Sequence, residues 1–402
     1  QLLRHYQLLD RDMRVVFFKY LGEVLKPDPD EVKAAVAAYE AEPSDANLLR
    51  LQEAVDSPRQ EFFRRLNMAP GATAQIVQMR KELLDFIREE PSLQPIDRDL
   101  FHLLQSWFNR GFLVLRRIDW QTPASILEKI IEYEAVHEID GWDDLRRRLN
   151  PADRRCFGFF HPSLIDEPLI FVEVALTDHV AEDIHSLLAP AAATAGGDGP
   201  LPTTAVFYSI SNCQGGLRGV SFGNFLIKQV VDELKKEFDS LKTFVTLSPV
   251  PRFAGWLEAV KKGEVSNGLE LGEPEHAVLA RLDEPLWWEQ REDDEELRDP
   301  VMALAAHYFL EAKGPTGRPI DPVARFHLGN GARLEKINWL ADTSIRGLKQ
   351  SHGLMVNYLY DPREIETNHE AFANLGQIAA SRAVRNLERA RGRRGSKTQP
   401  TP

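Results

Sequence analysis

The sequence predicts an α+β protein in which a bundle of helices precedes a mixed sheet domain. Three observations carry that reading. Up to about residue 150, apolar residues recur every three or four positions; beyond Cys156 they gather into short β-branched and aromatic runs bounded by Pro, Gly or Asp; and a glycine-rich loop joins one such run to a helix. The 402 residues exceed what one hydrophobic core organises, about 250 to 300 residues, so more than one domain is expected. We place the divisions at 1–152, 153–385 and a basic, polar, flexible tail at 386–402.

In the first part, "QIVQMRKELLDFI" sets Ile76, Met79, Leu83 and Ile87 on one helical face, and "DRDLFHLLQSWF" does the same for Leu100, Leu103 and Phe108. Helix starts are marked by Asp28 or Asp30, by Ser44, and by Thr122 with Pro123. No His, Cys and carboxylate cluster here has the spacing of a metal site, so this half reads as a scaffold or oligomerisation domain.

The second part predicts strands over Glu167–Thr177, Thr203–Asn212, Lys242–Ser248 and Gly353–Asp361. "PAAATAGGDGP", Pro190 to Pro200, is too poor in large apolar side chains to pack and reads as a flexible loop. "DEPLWWEQREDDEELRDPV" reads as a mostly acidic helical surface in which Trp287 and Trp288 are expected to be buried, in the fold or at an interface.

Composition removes several classes of function. A net charge of −12 repels phosphate polymers, so no nucleic-acid partner is expected. No apolar run approaches the roughly 18 residues of a membrane span. Two cysteines, Cys156 and Cys213, make neither a disulfide framework nor a four-cysteine zinc site. The chain opens on Gln1 and lacks a terminal Ser-Lys-Leu, and we expect a bacterial, cytoplasmic protein.

The glycine loop lies in "SNCQGGLRGVSFGNFLIKQVVDELKKEF", between a strand at Val206–Ile210 and a helix at Phe225–Phe238 that leads to a strand at Phe244–Leu247. Ile227, Val231, Leu234 and Phe238 form one apolar stripe of that helix, opposite Lys228, Asp232, Lys235 and Lys236. Glycines let successive amides turn toward one point, and a helix start adds about half a positive charge, which together suit a phosphate. The same glycines also suit a plain tight turn. The loop is neither a Walker A motif nor G-x-G-x-x-G. Arg218-Gly219-Val220-Ser221-Phe222-Gly223 resembles the pyrophosphate-binding motif of acetyltransferase-like (GNAT-like) folds, with Ser221 where that motif has its first glycine.

Longer segments are more specific. "FFHPSLIDEPLIFVEVALT", the glycine loop, "TFVTLSPVPRFAGWL" and "VARFHLGNGARLEKINWLADTSIRGLKQSHGLMVNYLY", in this order, closely resemble the malonyl-CoA decarboxylase family from about Cys156 to Pro362, and the helical half fits that family's N-terminal domain. The resemblance implies a GNAT-like catalytic domain, a helical domain used in assembly, a homotetramer, malonyl-CoA as substrate, acetyl-CoA as product and no cofactor. It puts the catalytic serine at Ser248 and the catalytic histidine at His327, and the CoA-binding loop at Arg218, Gly219, Val220, Ser221, Phe222, Gly223 and Asn224. Some relatives carry a glutamate where this chain has Ser221.

Those residues suit the chemistry. Loss of CO₂ leaves an electron pair that the thioester takes up as an enolate, which needs hydrogen-bond donors and a proton. A serine hydroxyl supplies the first, and a histidine, with an ordinary pKa near 6.5, gives or takes a proton at neutral pH. Taken singly, Ser248 before Pro249 is a cap and His327 before a Gly-Asn-Gly turn is structural. Tyr208, Arg252, Arg325, Asn338 and Tyr360 are further pocket candidates; His161, His352 and Cys213 read as structural. An acyltransferase on the same fold and a non-catalytic acyl-CoA sensor are the alternatives.

Overall fold

The computed structural model describes residues 1–189, 201–220, 226–265, 269, 271–289, 294–315 and 317–395. The loop expected at Pro190–Pro200 lies outside the described residues.

Seven helices open the chain: α1 Leu2–Leu8, α2 Arg11–Val24, α3 Pro29–Ala41, α4 Asp45–Val55, α5 Pro58–Asn67, α6 Ala72–Phe86 and α7 Gln94–Trp107. The expected periodic residues close their core: Ile76, Met79, Leu83, Leu100 and Leu103 pack with Phe18, Leu21 and Phe63. Asp28 caps α3 by accepting from the Asp30 amide at 2.8 Å, and Ser44 caps α4 by accepting from the Asn47 amide at 3.3 Å. Thr122 does not cap α8 (Ala124–Tyr133), since its hydroxyl oxygen accepts from the Asp119 amide at 3.0 Å and closes the preceding turn instead.

Eight strands among the described residues form one sheet: β1 Val114–Ile118, β2 Arg154–Phe160, β3 Pro168–Thr177, β4 Thr204–Asn212, β5 Thr243–Thr246, β6 Ser248–Pro249, β7 Arg333–Asn338 and β8 Met355–Leu359. Their order is β1-β2-β3-β4-β5-β8-β6, with β7 also on β8, and every pairing is antiparallel except β4 with β5. β3, β4, β5 with β6, and β8 occupy the segments expected. β1 overturns the reading of the first 150 residues as helical throughout. Its sequence, "VLRRI", hides the period of two behind an arginine pair on an edge strand whose side chains are mostly solvated. β2, "RRCFGFF", carries an apolar run behind two arginines and falls outside the strands expected, and β7 reads "RLEKIN", with no such run.

The other helices are α9 Gly141–Leu149, α10 Ile184–Leu188, α11 Leu226–Glu237, α12 Phe253–Lys261, α13 Glu273–Leu279, α14 Glu295–Leu310, α15 Pro322–Gly329, α16 Ile345–Ser351, α17 Ile365–Leu375 and α18 Arg382–Gly395. α18 corrects the expected flexible tail over 386–395; residues 396–402 lie outside those described. α11 buries Ile227, Val231 and Leu234 against the sheet as its stripe requires. Trp287 is buried against Trp288 and Trp339, in a turn rather than the helix expected.

One feature of the sheet makes room for a site. β4 and β5 pair from Thr204 with Thr243 to Phe207 with Thr246, and the Leu247 amide still reaches the Phe207 carbonyl at 2.9 Å. Beyond that point β4 stays with β3 out to Asn212, whereas Ser248 pairs with Val356 of β8. The two parallel strands part, and the gap lies where the glycine loop leaves β4.

The helical half holds that loop. Arg80 of α6, 2 % exposed, donates from Nη1 to the carbonyls of Gly216 at 2.7 Å and Arg218 at 3.0 Å, while its Nε donates to Asp97 at 2.7 Å. A Cβ on Gly216 would stand 1.8 Å from the Val77 carbonyl oxygen, so only glycine lets loop and helix touch. Gly216→Ala is therefore expected to destabilise the protein by about 1 to 3 kcal/mol, read as a lower denaturant midpoint. Gly255→Ala, whose Cβ meets no atom within 4 Å, is the control and should leave stability level or slightly higher.

Candidate functional site

The described part of the glycine loop is a single 3₁₀ turn, Gly215–Leu217, followed by Gly219 at φ +83°, a conformation that glycine adopts without strain. Arg218, Gly219 and Val220 line a cavity of about 530 Å³ whose other walls include Asn212, Arg318, Arg325, Phe326 and Asn330. Ser221, Phe222, Gly223 and Asn224 lie outside the described residues. The cavity thus runs from the loop to α15, the helix that carries His327. Among the described residues three arginines and no carboxylate line it, which favours an anion.

Local sequence places His327 firmly. Asp321 caps α15, its Oδ1 accepting from the Val323 and Ala324 amides at 2.9 Å each, and Pro322 supplies the first helical residue. The other carboxylate oxygen of Asp321 accepts from the Tyr308 hydroxyl at 3.2 Å. The helix ends at Gly329, and Gly331, at φ +82°, turns the chain so tightly that a Cβ would lie 2.1 Å from the Ile365 carbonyl oxygen. The Asn330-Gly331 turn is therefore a helix terminus.

Ser248 and His327, 79 residues apart, meet: Oγ and Nε2 are 3.1 Å from each other, and both residues are buried. Ser248 Oγ also donates to Thr246 Oγ1 at 2.8 Å, the two side chains sharing a strand face at a spacing of two. Thr246 Oγ1 accepts in addition from the Tyr358 amide at 3.1 Å. On the other side of the imidazole, Nδ1 and the Tyr360 hydroxyl are 2.8 Å apart. The ring lies on Tyr358, with centroids 4.5 Å apart and planes 21° off parallel.

Burial alone pushes His327 down to about 3, because no carboxylate stands close enough to stabilise an imidazolium. Burial also holds the Tyr360 phenol well above its usual value. Near pH 7 the row is neutral. With the Ser248 proton given to Thr246, the remaining bonds are satisfied when Nε2–H donates to Ser248 and Tyr360 O–H donates to Nδ1. Protons then point one way along the row, from Tyr360 to His327 to Ser248.

Of the further pocket candidates, Tyr360 joins this row and Arg325 lines the cavity, its Nη1 donating to the carbonyls of Pro319 and Ile320. Arg252 lines a different cavity. Asn338 is a structural partner, its Nδ2 donating to Asn357 Oδ1 at 2.7 Å, and Tyr208 is packed in a core on the sheet with Leu247 and Met355. His161 accepts from the Ser163 amide and packs on Phe108; His352 packs on Phe253 and Trp287. Cys213 is a buried thiol pushed up by burial. Thr246 and the Tyr358 ring were not anticipated, although alternation along "TFVTLS" does put Thr246 on the Ser248 face.

A histidine held at about 3 makes folding sensitive to acid. The unfolded chain protonates near pH 6.5 and the folded one does not, so stability is complete above pH 6.5 and falls as pH drops toward 3, by roughly 1.4 kcal/mol per unit for this group. His327→Asn should lose stability less steeply than the parent between pH 6 and 4 in denaturant titrations; equal slopes would contradict a buried neutral imidazole.

The sequence profile described as the malonyl-CoA decarboxylase C-terminal domain matches residues 111–398, and that of the malonyl-CoA decarboxylase N-terminal domain matches 25–108. Mitochondrial malonyl-CoA decarboxylase of the goose Anser anser anser is 36 % identical over 374 residues, which are 86 % of this chain and 73 % of that protein. The rat protein of the same name is 37 % identical over 358 residues, 84 % of this chain and 72 % of its own. The crystal structure of malonyl-CoA decarboxylase from Rhodopseudomonas palustris superposes with a TM-score of 0.89 at 53 % identity, over 96 % of this chain and 93 % of that one. That from Agrobacterium vitis gives 0.88 at 50 % identity with the same coverage. With both profiles spanning most of its length, the chain belongs to the malonyl-CoA decarboxylase family of carboxy-lyases.

Proposed function

We propose that this protein converts malonyl-CoA to acetyl-CoA and CO₂, with Ser248 and His327 at the reacting carbons and the loop from Arg218 to Asn224 on the CoA pyrophosphate. The single observation that supports this most is the neutral row from Tyr360 to Ser248 beside an arginine-lined cavity. A serine used as a nucleophile needs a base that can hold its proton, and a histidine kept near 3 with a phenol behind it is a poor one. Decarboxylation needs no nucleophile. The C–C bond to the carboxylate breaks, its electron pair enters the thioester as an enolate, and the Ser248 hydroxyl, turning from Thr246 to the substrate while it still accepts from His327 Nε2–H, donates to the enolate oxygen. One proton then forms the new C–H bond: Ser248 gives it, His327 Nε2–H restores Ser248, Tyr360 restores Nδ1, and solvent returns the proton to the row. Because the thioester is itself the electron sink, this route calls on no added cofactor.

Substrate recognition follows from charge and depth. Arg218, Arg318 and Arg325 attract the phosphates at the mouth of the cavity, while the buried serine and histidine leave the carboxylate poorly solvated, which favours its loss as CO₂.

Assembly into a homotetramer in the cytoplasm completes the reading. What supports an interface between copies is α2, where Met13, Val16, Tyr20 and Val24, at steps of three, four and four, are each about half exposed on one face. An apolar stripe of that kind calls for a covering surface.

Ser248→Ala and His327→Asn should each lower kcat by about 10²-fold or more while malonyl-CoA binding, read by calorimetry on the inactive variants, stays within about threefold. Unchanged turnover in both would overturn the assignment. Tyr20→Glu should shift the assembly to smaller species in light scattering; an unchanged mass would remove α2 from the interface.

A further inference from the structure

A second cavity, about 700 Å³ in volume, opens between α12 and α16 and shares no lining residue with the one under the glycine loop. Arg252, Arg346 and Lys349 stand on its wall, and among the described residues no carboxylate does. Among the described residues none of the three forms an ion pair, and the one hydrogen bond from them is a long one, 3.4 Å from Arg346 Nη1 to the Val136 carbonyl. All three are exposed, and in a chain of net charge −12 three cations gathered with no acid among the described lining residues make a local positive field that attracts an anion. The floor is apolar, with Ala259, Ile320 and Trp256. Trp256, which lines this cavity, is 6 % exposed, and its indole N–H has no acceptor among the described residues. A buried N–H without a partner is an uncommon expense in a folded protein.

The malonyl carboxylate is the wrong occupant. Three cations around it would stabilise the charged ground state more than the transition state, in which charge leaves the carboxylate for the thioester, and the reaction would slow. A volume of about 700 Å³ with cations at the rim and an apolar floor fits a larger anion with a flat body.

We propose that this cavity is a second binding site, separate from the acyl-CoA site, that takes an organic polyphosphate of nucleotide size. Its phosphates lie among Arg252, Arg346 and Lys349, its base lies over the apolar floor, and the Trp256 N–H donates to it. The walls place this ligand near the reacting pair, since Arg252 follows Ser248 by four residues in the chain and Ile320 adjoins the cap of the His327 helix.

The test is calorimetry of the full chain with CoA present at saturation, itself verified by titration, so that heat from added ATP reports a second site. We expect one ATP per chain and weaker binding of inorganic pyrophosphate, which lacks the flat body. Arg346→Glu with Lys349→Glu should weaken ATP by at least about tenfold, leaving the KM and kcat for malonyl-CoA within about twofold. Trp256→Phe, which keeps the ring packing and removes only the N–H, should weaken ATP by a smaller factor and confirms the site if the double variant fails to fold. Absence of ATP binding in the parent, binding unchanged in the variants, or a rise in KM that parallels the loss of ATP would each overturn the proposal, the last by assigning the cavity to the substrate.

Discussion

The hydrogen bond between Ser248 and an imidazole buried without a countercharge is the interaction on which the rest of the structure turns. Every partner of His327 is neutral: a serine and a tyrosine hydroxyl at its two nitrogens and a tyrosine ring against its face. Replace the phenol by a carboxylate and the same geometry would make a base for a nucleophilic serine. As built, it is a row of donors, and the chemistry that suits donors is stabilisation of an enolate rather than attack on a carbonyl.

Holding such a row takes three separate segments. Thr246 and Ser248 come from strands that turn from β4 to β8; α15 is started by Asp321 and Pro322 and stopped at Gly331; Tyr360 follows β8, its amide bonded to the Phe244 carbonyl at 2.8 Å. The parting of β4 from β5 is what leaves the serine end of the row unblocked by a neighbouring strand. The helical half contributes as well, through the Arg80 bonds to the loop carbonyls and the contact of Gly216 with α6. A scaffold that reaches the glycine loop in this way links packing of the helical half to the shape of the cavity.

Much of this could be read from the residues. The strands at β3, β4 and β8 are largely apolar and buried on both faces, broken by polar residues such as Glu173, Ser209 and Asn357, and the helices of the first half carry full three-and-four periods. β1 and β7 escaped notice because an edge strand needs only part of one face buried, and "VLRRI" and "RLEKIN" spend their remaining positions on solvent. The pairing of Ser248 with His327 came from resemblance to a family, since nothing local in "LSPVP" or "FHLGNG" connects residues so far apart. Thr246 could have been found from alternation alone. Arg80 could not: a buried arginine on a helix gives no sign in sequence of which carbonyls it will meet in another segment.

The most direct measurement mixes purified protein with malonyl-CoA in buffer containing a chelator and nothing else, and follows acetyl-CoA and CO₂ together while the enzyme's intact mass is recorded. The account predicts the two products in equal amounts and no added acyl mass on the protein at any time. An acylated Ser248 during turnover, or malonyl-CoA that is bound and survives, would contradict it.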